Sequence, residues 1–307
     1  MEREREIDVA IVGGGPAGLS AALVLGRSRR HVVVFDGGHH RNDGSGAVHG
    51  FLTRDGTPPA ALRAIARNEL RAYGTVRVED SVVSEVVHDG DGFHVTTDAG
   101  EHHRARRVLL ATGVVDVHPP IAGAEALHGR LVLPCPYCDG WERRDRALGA
   151  YSHPDDRGAR YALLIAQWSS DVVFYPGSAP DLSLELRTVL AARSIPIDER
   201  PLERVDEHDG ELRVWFSDGT SRRCAALFYH LGCLPSHDLA RRLGVAFDQR
   251  GGIAVDEHGA TRVAGVYAAG DATRDTLQAI VGAGEGAVAA IAINQSLVDD
   301  EINGRAR

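Results

Sequence analysis

Apolar positions run from Ile7 to Val12, broken only by Asp8, after which Gly13-Gly-Gly-Pro-Ala-Gly-Leu-Ser-Ala-Ala switches to small residues at helical spacing. The first stretch predicts a strand buried on both faces, and the second predicts a helix reaching about Gly26. A second apolar run, His31 to Phe35, ends in Asp36, which completes the β-α-β order of a parallel sheet wrapped by helices. Pro58 to Ala72 has helical spacing, whereas Val76 to Val78, Val82 to Val87 and Phe93 to Thr97 alternate as strands do, with Asp-Gly turns between the later ones. Val108 to Ala111 is another buried strand, closed by Thr112-Gly113. From Val117 to Leu243 the chain has its own alternation of strands and helices, through Tyr161 to Trp168, Asp171 to Tyr175, Ile195 to Glu199, Leu212 to Phe216 and Ala225 to Leu231. A buried strand resumes at Gly265, and Gln278 to Gln295 reads as a long apolar helix. An α/β chain of two domains is therefore expected, consistent with a length of 307 residues.

Charge narrows the partners. With 34 basic and 43 acidic side chains the formal net charge is −9, and no long basic run occurs, so a nucleic-acid backbone is a poor partner. Mixed charge in Met1-Glu-Arg-Glu-Arg-Glu does not suit a secretory leader. Ile7 to Leu25 approaches the length of a membrane span, but its glycines, its proline and its strand-then-helix pattern fit a buried nucleotide fold, so no membrane partner is expected. Four cysteines, Cys135, Cys138, Cys224 and Cys233, are too few for a disulfide framework and fit a reducing cytoplasm.

Gly13, Gly15 and Gly18 form G-x-G-x-x-G at a strand-to-helix junction, the pattern that lets a diphosphate approach the backbone at a helix N-terminus. Asp36, at the tip of the next strand, is placed to accept hydrogen bonds from a ribose.

Cys135 and Cys138 lie three apart and are followed by Asp139 and Gly140. If the turn opens a helix, Cys135 meets the positive end of its dipole and becomes the better attacking sulfur, while Asp139 can move protons as thiols ionise. Half of a zinc site is the alternative. No second C-x-x-C or C-x-x-H follows at ribbon or finger spacing, and His153 is the nearest candidate third ligand, so no metal is expected. Tyr137 and Trp141 either line an entrance or simply pack. Cys224 and Cys233 read as small buried residues of the middle domain.

Ala111-Thr-Gly113 and Gly265-Val-Tyr-Ala-Ala-Gly-Asp271 resemble the two further signatures of two-dinucleotide flavoproteins. Together with Gly13 to Gly18 and Cys135 to Gly140, they make the chain resemble the low-molecular-weight thioredoxin reductases over nearly its whole length. The resemblance implies a discontinuous Rossmann-like FAD domain (residues 1–116 and 244–307), a smaller NADPH-domain-like α/β domain carrying the C-x-x-C (117–243), and a homodimer. It implies FAD contacts from Gly13, Gly15, Pro16, Ala17, Gly18, Asp36, Arg41, Asn42, His49, Ala111, Thr112, Gly113, Gly270, Asp271, Gln278 and Ala279. Cys138 is expected to face the flavin, and Cys135, Cys138 and Asp139 to be catalytic.

The chain departs from those reductases where NADPH should bind. Leu148-Gly-Ala-Tyr-Ser-His-Pro-Asp-Asp-Arg-Gly158 lacks the second glycine turn, and Phe174-Tyr-Pro-Gly-Ser-Ala-Pro lacks an acidic ribose ligand and an arginine pair, so loss of the NADPH site is expected. This combination resembles the thioredoxin reductase-like dithiol oxidases of gliotoxin, holomycin and romidepsin biosynthesis, through Cys135 to Glu142, Gln167 to Asp171 and His49 to Asp55. Several of those carry histidine where this chain has Asp139. The implied activity is oxidation of a small dithiol by the Cys135–Cys138 pair, FAD and O2, giving H2O2. The alternatives are a reductase driven by NAD(P)H or ferredoxin, and a redox sensor that holds FAD without turnover.

Overall fold

A computed structural model describes residues 7–274 and 276–304; the charge-dense opening, residues 1–6, lies outside them. In chain order the first elements are β1 (Ile7–Val12), α1 (Pro16–Arg27), β2 (Val32–Phe35), α2 (Pro59–Leu70), β3 (Val76–Glu79), β4 (Val83–Asp89), β5 (Gly92–Thr97), β6 (His102–Leu110) and β7 (Val114–Asp116). There follow β8 (Val132–Leu133), α3 (Pro136–Asp139), β9 (Leu148–Ser152), α4 (Asp156–Ile165), β10 (Val172–Tyr175), α5 (Leu184–Ala192), β11 (Leu202–His208), β12 (Glu211–Phe216), β13 (Ser221–Cys224), β14 (Ala226–His230) and β15 (Cys233–Pro235). The chain closes with α6 (Asp238–Arg242), β16 (Val266–Ala268) and α7 (Ala279–Ile302).

The first unit comprises residues 1–41, 51–115 and 235–307. Its sheet has the order β3-β2-β1-β6-β5-β4, with β16 also pairing β6. β1, β2, β3, β6 and β16 run parallel, and β4 and β5 join β6 as an antiparallel meander. Val32 and Val34 of β2 enter one apolar cluster while Val33 and Phe35 enter the other, because successive side chains of a strand point to opposite faces. Both faces of β2 are covered, which is why it reads as an unbroken apolar run. Ile7 to Leu25 is strand then helix, as its pattern predicts. α7 is long and apolar enough to cross a membrane, but it packs along α1 and buries Ala289, Ala290, Ile293 and Leu297 in the core of this unit.

The second unit comprises residues 42–50 and 116–234. It has a parallel sheet of order β10-β9-β14-β8 and an antiparallel sheet of order β11-β12-β13. These limits correct the expected 117–243. Ala240 and Leu243 pack with Val83, Val86 and Phe93 in the core of the first unit, so the chain has rejoined that unit by Pro235 rather than Gly244. Residues 42–50 leave the first unit because Gly44 lies against His128 and Gly129, where a Cβ on Gly129 would strike the Gly44 backbone.

Candidate active site

In the first unit the turn from β1 to α1 is built from backbone alone. Gly13 has φ +115°, and a Cβ there would collide with the Ala111 carbonyl; a Cβ on Gly18 would collide with the Gly13 carbonyl. Gly15 caps α1 with no side-chain hydrogen bond, Pro16 follows at the first helical position, and a Cβ on Gly15 would meet nothing within 4 Å. Uncovered amides at the start of a 12-residue helix form an anion seat, so these residues fit the diphosphate of a dinucleotide.

The other segments of this unit that the resemblance implicates in FAD binding lie as follows. Thr112 donates from Oγ1 to the Ser236 carbonyl (3.2 Å), and Gly113 has φ +64°. Gly270 sits against Ala17 with φ +79°, and its amide donates to Glu285 Oε2 (2.9 Å). Arg41 lies 3.6 Å from Asp271. Gln278 caps α7, and Ala279 opens it. Asn42 and His49 fall in the segment that belongs to the second unit.

Asp36 is more constrained than an open ribose acceptor. Its side chain is 3% exposed and accepts from the Gly38 amide (3.0 Å) and Arg67 (2.6 Å), with His40 Nε2 at 3.0 Å. Burial alone would raise its pKa, but His40, the Gly38 amide and Arg67 together hold the carboxyl well below its ordinary range. Arg67 also bonds Asp80 (2.7 Å). Nothing in the sequence singles out Arg67, which comes from α2, 31 positions away.

The cysteine pair lies in the second unit. Cys135 caps α3, Pro136 is its first residue, and the Cys138 and Asp139 amides both donate to the Cys135 carbonyl at 3.2 Å. Cys135 and Cys138 are disulfide-bonded, with Cα atoms 5.3 Å apart. The helix is a single turn of four residues, so local hydrogen bonds contribute more here than a long dipole would. Tyr137 and Trp141 are 67% and 65% exposed, which fits a lined entrance better than core packing. Tyr137 stands edge-on to Trp168, whose ring would lie 2.7 Å from a Cβ on Gly140.

The Asp139 carboxyl is pushed up to about 6, first by burial and then by Glu142, against the lowering effect of His49 and Arg143. His49 Nε2 is 3.6 Å from Glu142. The sequence gives no sign of this neighbourhood, because the loop carrying His49 is some ninety positions away.

Among the described residues, the group spaced to share a metal ion is Glu79, Glu101 and His103, which includes neither cysteine of the pair. Cys224 is fully buried, and burial pushes its thiol up to about 12.

The stretch after β9 repeats the geometry of the first turn with one substitution that matters. A Cβ on Gly158 would collide with the His153 carbonyl, as one on Gly18 would with that of Gly13, so the third glycine of the pattern persists where the sequence reading found no such spacing. The position equivalent to Gly15 is Asp155, which caps α4 and accepts from the Arg157 amide (3.0 Å) and the Arg157 guanidinium (2.6 Å). A carboxylate therefore sits where the first turn leaves its amides open.

Residues 7–153 and 168–293 match the family model described as pyridine nucleotide-disulphide oxidoreductase, and the chain belongs to that family. Within it, the protein is a thioredoxin reductase-like flavoprotein oxidoreductase. It is 32% identical to thioredoxin reductase tcpT of Claviceps purpurea, over 88% of each chain. It is 29% identical to thioredoxin reductase sirT of Leptosphaeria maculans, over 98% of this chain and 97% of that one. The crystal structure of HlmI superposes with a TM-score of 0.94 at 36% identity, covering 100% of this chain and 97% of that chain.

Proposed function

We propose that the protein is an FAD-dependent dithiol oxidase that closes a disulfide in a small dithiol, with O2 as the final acceptor and H2O2 as the by-product. The observation that carries this reading is the contrast between two equivalent turns. Gly15 leaves the amides of α1 open to a diphosphate, whereas Asp155 fills the same place on α4 with a carboxylate that would repel one. With no seat for NADPH, electrons enter through thiols, at the disulfide.

Asp139, pushed up to about 6, is ionised near neutrality yet close enough to its pKa to exchange protons. It takes the proton of an incoming substrate thiol. The thiolate attacks Cys135, forming a mixed disulfide and breaking the bond to Cys138, and Asp139 returns the proton to the Cys138 sulfur. The second thiol of the substrate attacks the mixed disulfide, so the substrate leaves oxidised by two electrons and both cysteines are left reduced. FAD, held by Gly13, Gly15, Gly18, Ala111 to Gly113, Gly270 and Asp271, would supply the acceptor for those two electrons and the route by which oxygen becomes hydrogen peroxide. Tyr137 and Trp141 flank the entrance.

The presence of Asp139 itself favours a second reading, a disulfide reductase running the same thiols in reverse with a donor such as ferredoxin. Anaerobic mixing separates the two. An oxidase bleaches its flavin with dithiothreitol and not with NADPH, and then consumes oxygen continuously with the dithiol. Rapid bleaching by NADPH overturns the proposal.

The partner expected besides substrate is a second copy of this chain. Ile280, Val288, Ile291 and Val298 project from α7 at helical spacing as a partly exposed apolar stripe, which a homodimer would cover. Four cysteines in 307 residues, too few for a disulfide framework, fit a reducing, cytoplasmic setting.

A further inference from the structure

Cys138 and Asp139 are followed within one turn by Gly140, Trp141 and Glu142, so Glu142 stands three positions beyond Asp139 at the same end of the cysteine helix. Residues three apart on a helical turn share a face, and the Glu142 carboxylate acts on Asp139. The loop of residues 42–50 belongs to this same unit and brings His49 Nε2 to 3.6 Å from Glu142. The charged side chains that act on Asp139 are then His49, Glu142 and Arg143, and Arg143 is tied back to the Arg130 carbonyl (2.8 Å). His49 and Glu142 act on Asp139 with opposite sign.

We propose that His49 and Glu142 form a charge-balancing pair in which His49 is a positioning residue, neutralising Glu142 so that Asp139 can accept the proton of an incoming thiol at neutral pH. The inference rests on the proton-transfer role given to Asp139 above, but not on oxygen being the final acceptor. With His49 beside it the field of Glu142 is offset and Asp139 stays ionised. Without it, Glu142 alone drives Asp139 toward its neutral form, which cannot take up a proton.

The test measures the rate at which dithiothreitol opens the Cys135–Cys138 bond, by quenching with an alkylating agent and counting labelled thiols between pH 5 and 9. Rates are compared as the ratio of variant to wild type at each pH, which cancels the ionisation of dithiothreitol itself. Removing one unit charge at this range moves a carboxyl titration by about half to one pH unit. His49→Gln should lower the ratio about three- to tenfold below pH 6 and restore it to near one above pH 8. Glu142→Gln should move the acid limb the opposite way, giving ratios above one below pH 6. The double variant should lie close to wild type.

Opposite shifts from two neighbouring residues, cancelling in combination, are not what loss of local structure gives. FAD content and melting temperature identify any variant that fails to fold, and either single variant still tests the sign. Shifts in the same direction, or ratios that are flat with pH, overturn the proposal. Because the readout is the protein's own disulfide, absence of oxygen uptake would defeat the oxidase reading while leaving this one standing.

Discussion

Asp139→Asn should make the protein more stable at neutral pH while removing most of its activity. The wild-type carboxyl is raised from its ordinary 3.8 to about 6, first by burial. For an acid whose pKa is raised on folding, the contribution to stability is fully present below the unfolded value, about 3.8, and is lost as the pH rises through about 6. The gap is about two units, and at roughly 1.4 kcal/mol per unit the folded state at pH 8 carries an upper bound of about 3 kcal/mol of desolvation cost. Asparagine fills the same volume without ionising, so the variant escapes that cost. The difference between variant and wild type should therefore be near zero at pH 4, grow between pH 4 and 6.5, and level off above pH 7. Urea unfolding of the holoprotein, followed by tryptophan fluorescence across that range, measures it directly, since groups common to both proteins cancel in the difference. Turnover with a dithiol should fall by about 10²- to 10⁴-fold, the usual contribution of a general acid or base, and the acid limb near pH 6 should vanish. A variant no more stable than wild type at pH 8 would refute the argument, as would one that keeps full activity.

Cys138→Ser should retain bound FAD but lose dithiol-dependent oxygen uptake, measured with an oxygen electrode; continued uptake would remove Cys138 from the mechanism. Asp155→Gly deprives α4 of its cap and should lower the melting temperature, while pyrophosphate at millimolar concentration should raise the melting temperature of this variant and leave wild type unmoved. Arg67→Gln removes a partner that holds the Asp36 carboxyl low. The stability due to Asp36 is present above the ordinary carboxylate range and lost as pH falls through its lowered pKa, so the variant should unfold at a higher pH in acid titrations monitored by FAD release. Ile291→Glu, on the outward face of α7, should convert the expected dimer to monomer in sedimentation, whereas an unchanged mass would dissociate that helix from self-association.

The repeating parts were legible in the chain because local constraints write them locally. Apolar runs marked β1, β2 and β10, since a strand covered on both faces has little polar side, and Gly13 and Gly18 of the first turn were readable because the backbone there excludes a Cβ. The C-x-x-C was visible from spacing, which by itself left half of a zinc site open, and the roles expected of Cys135, Cys138 and Asp139 came from the family resemblance. The chemistry around them did not. Arg67 reaches Asp36 from α2, His49 reaches Glu142 from a loop some ninety positions upstream, and both depend on which surfaces pack, which no local pattern records. The limit of the second unit fell at 234 rather than 243 for the same reason, because Ala240 and Leu243 are apolar enough for either core and only packing assigns them. Even the altered turn after β9, visible in sequence as missing glycines, needed three dimensions to be understood. Gly158 still packs as Gly18 does, and it is the Asp155 carboxylate, folded back onto the helix amides, that occupies the anion seat. Sequence determined the elements and the reactive sulfurs; tertiary structure decided the electrostatic field in which they work, because charge acts through space rather than along the chain.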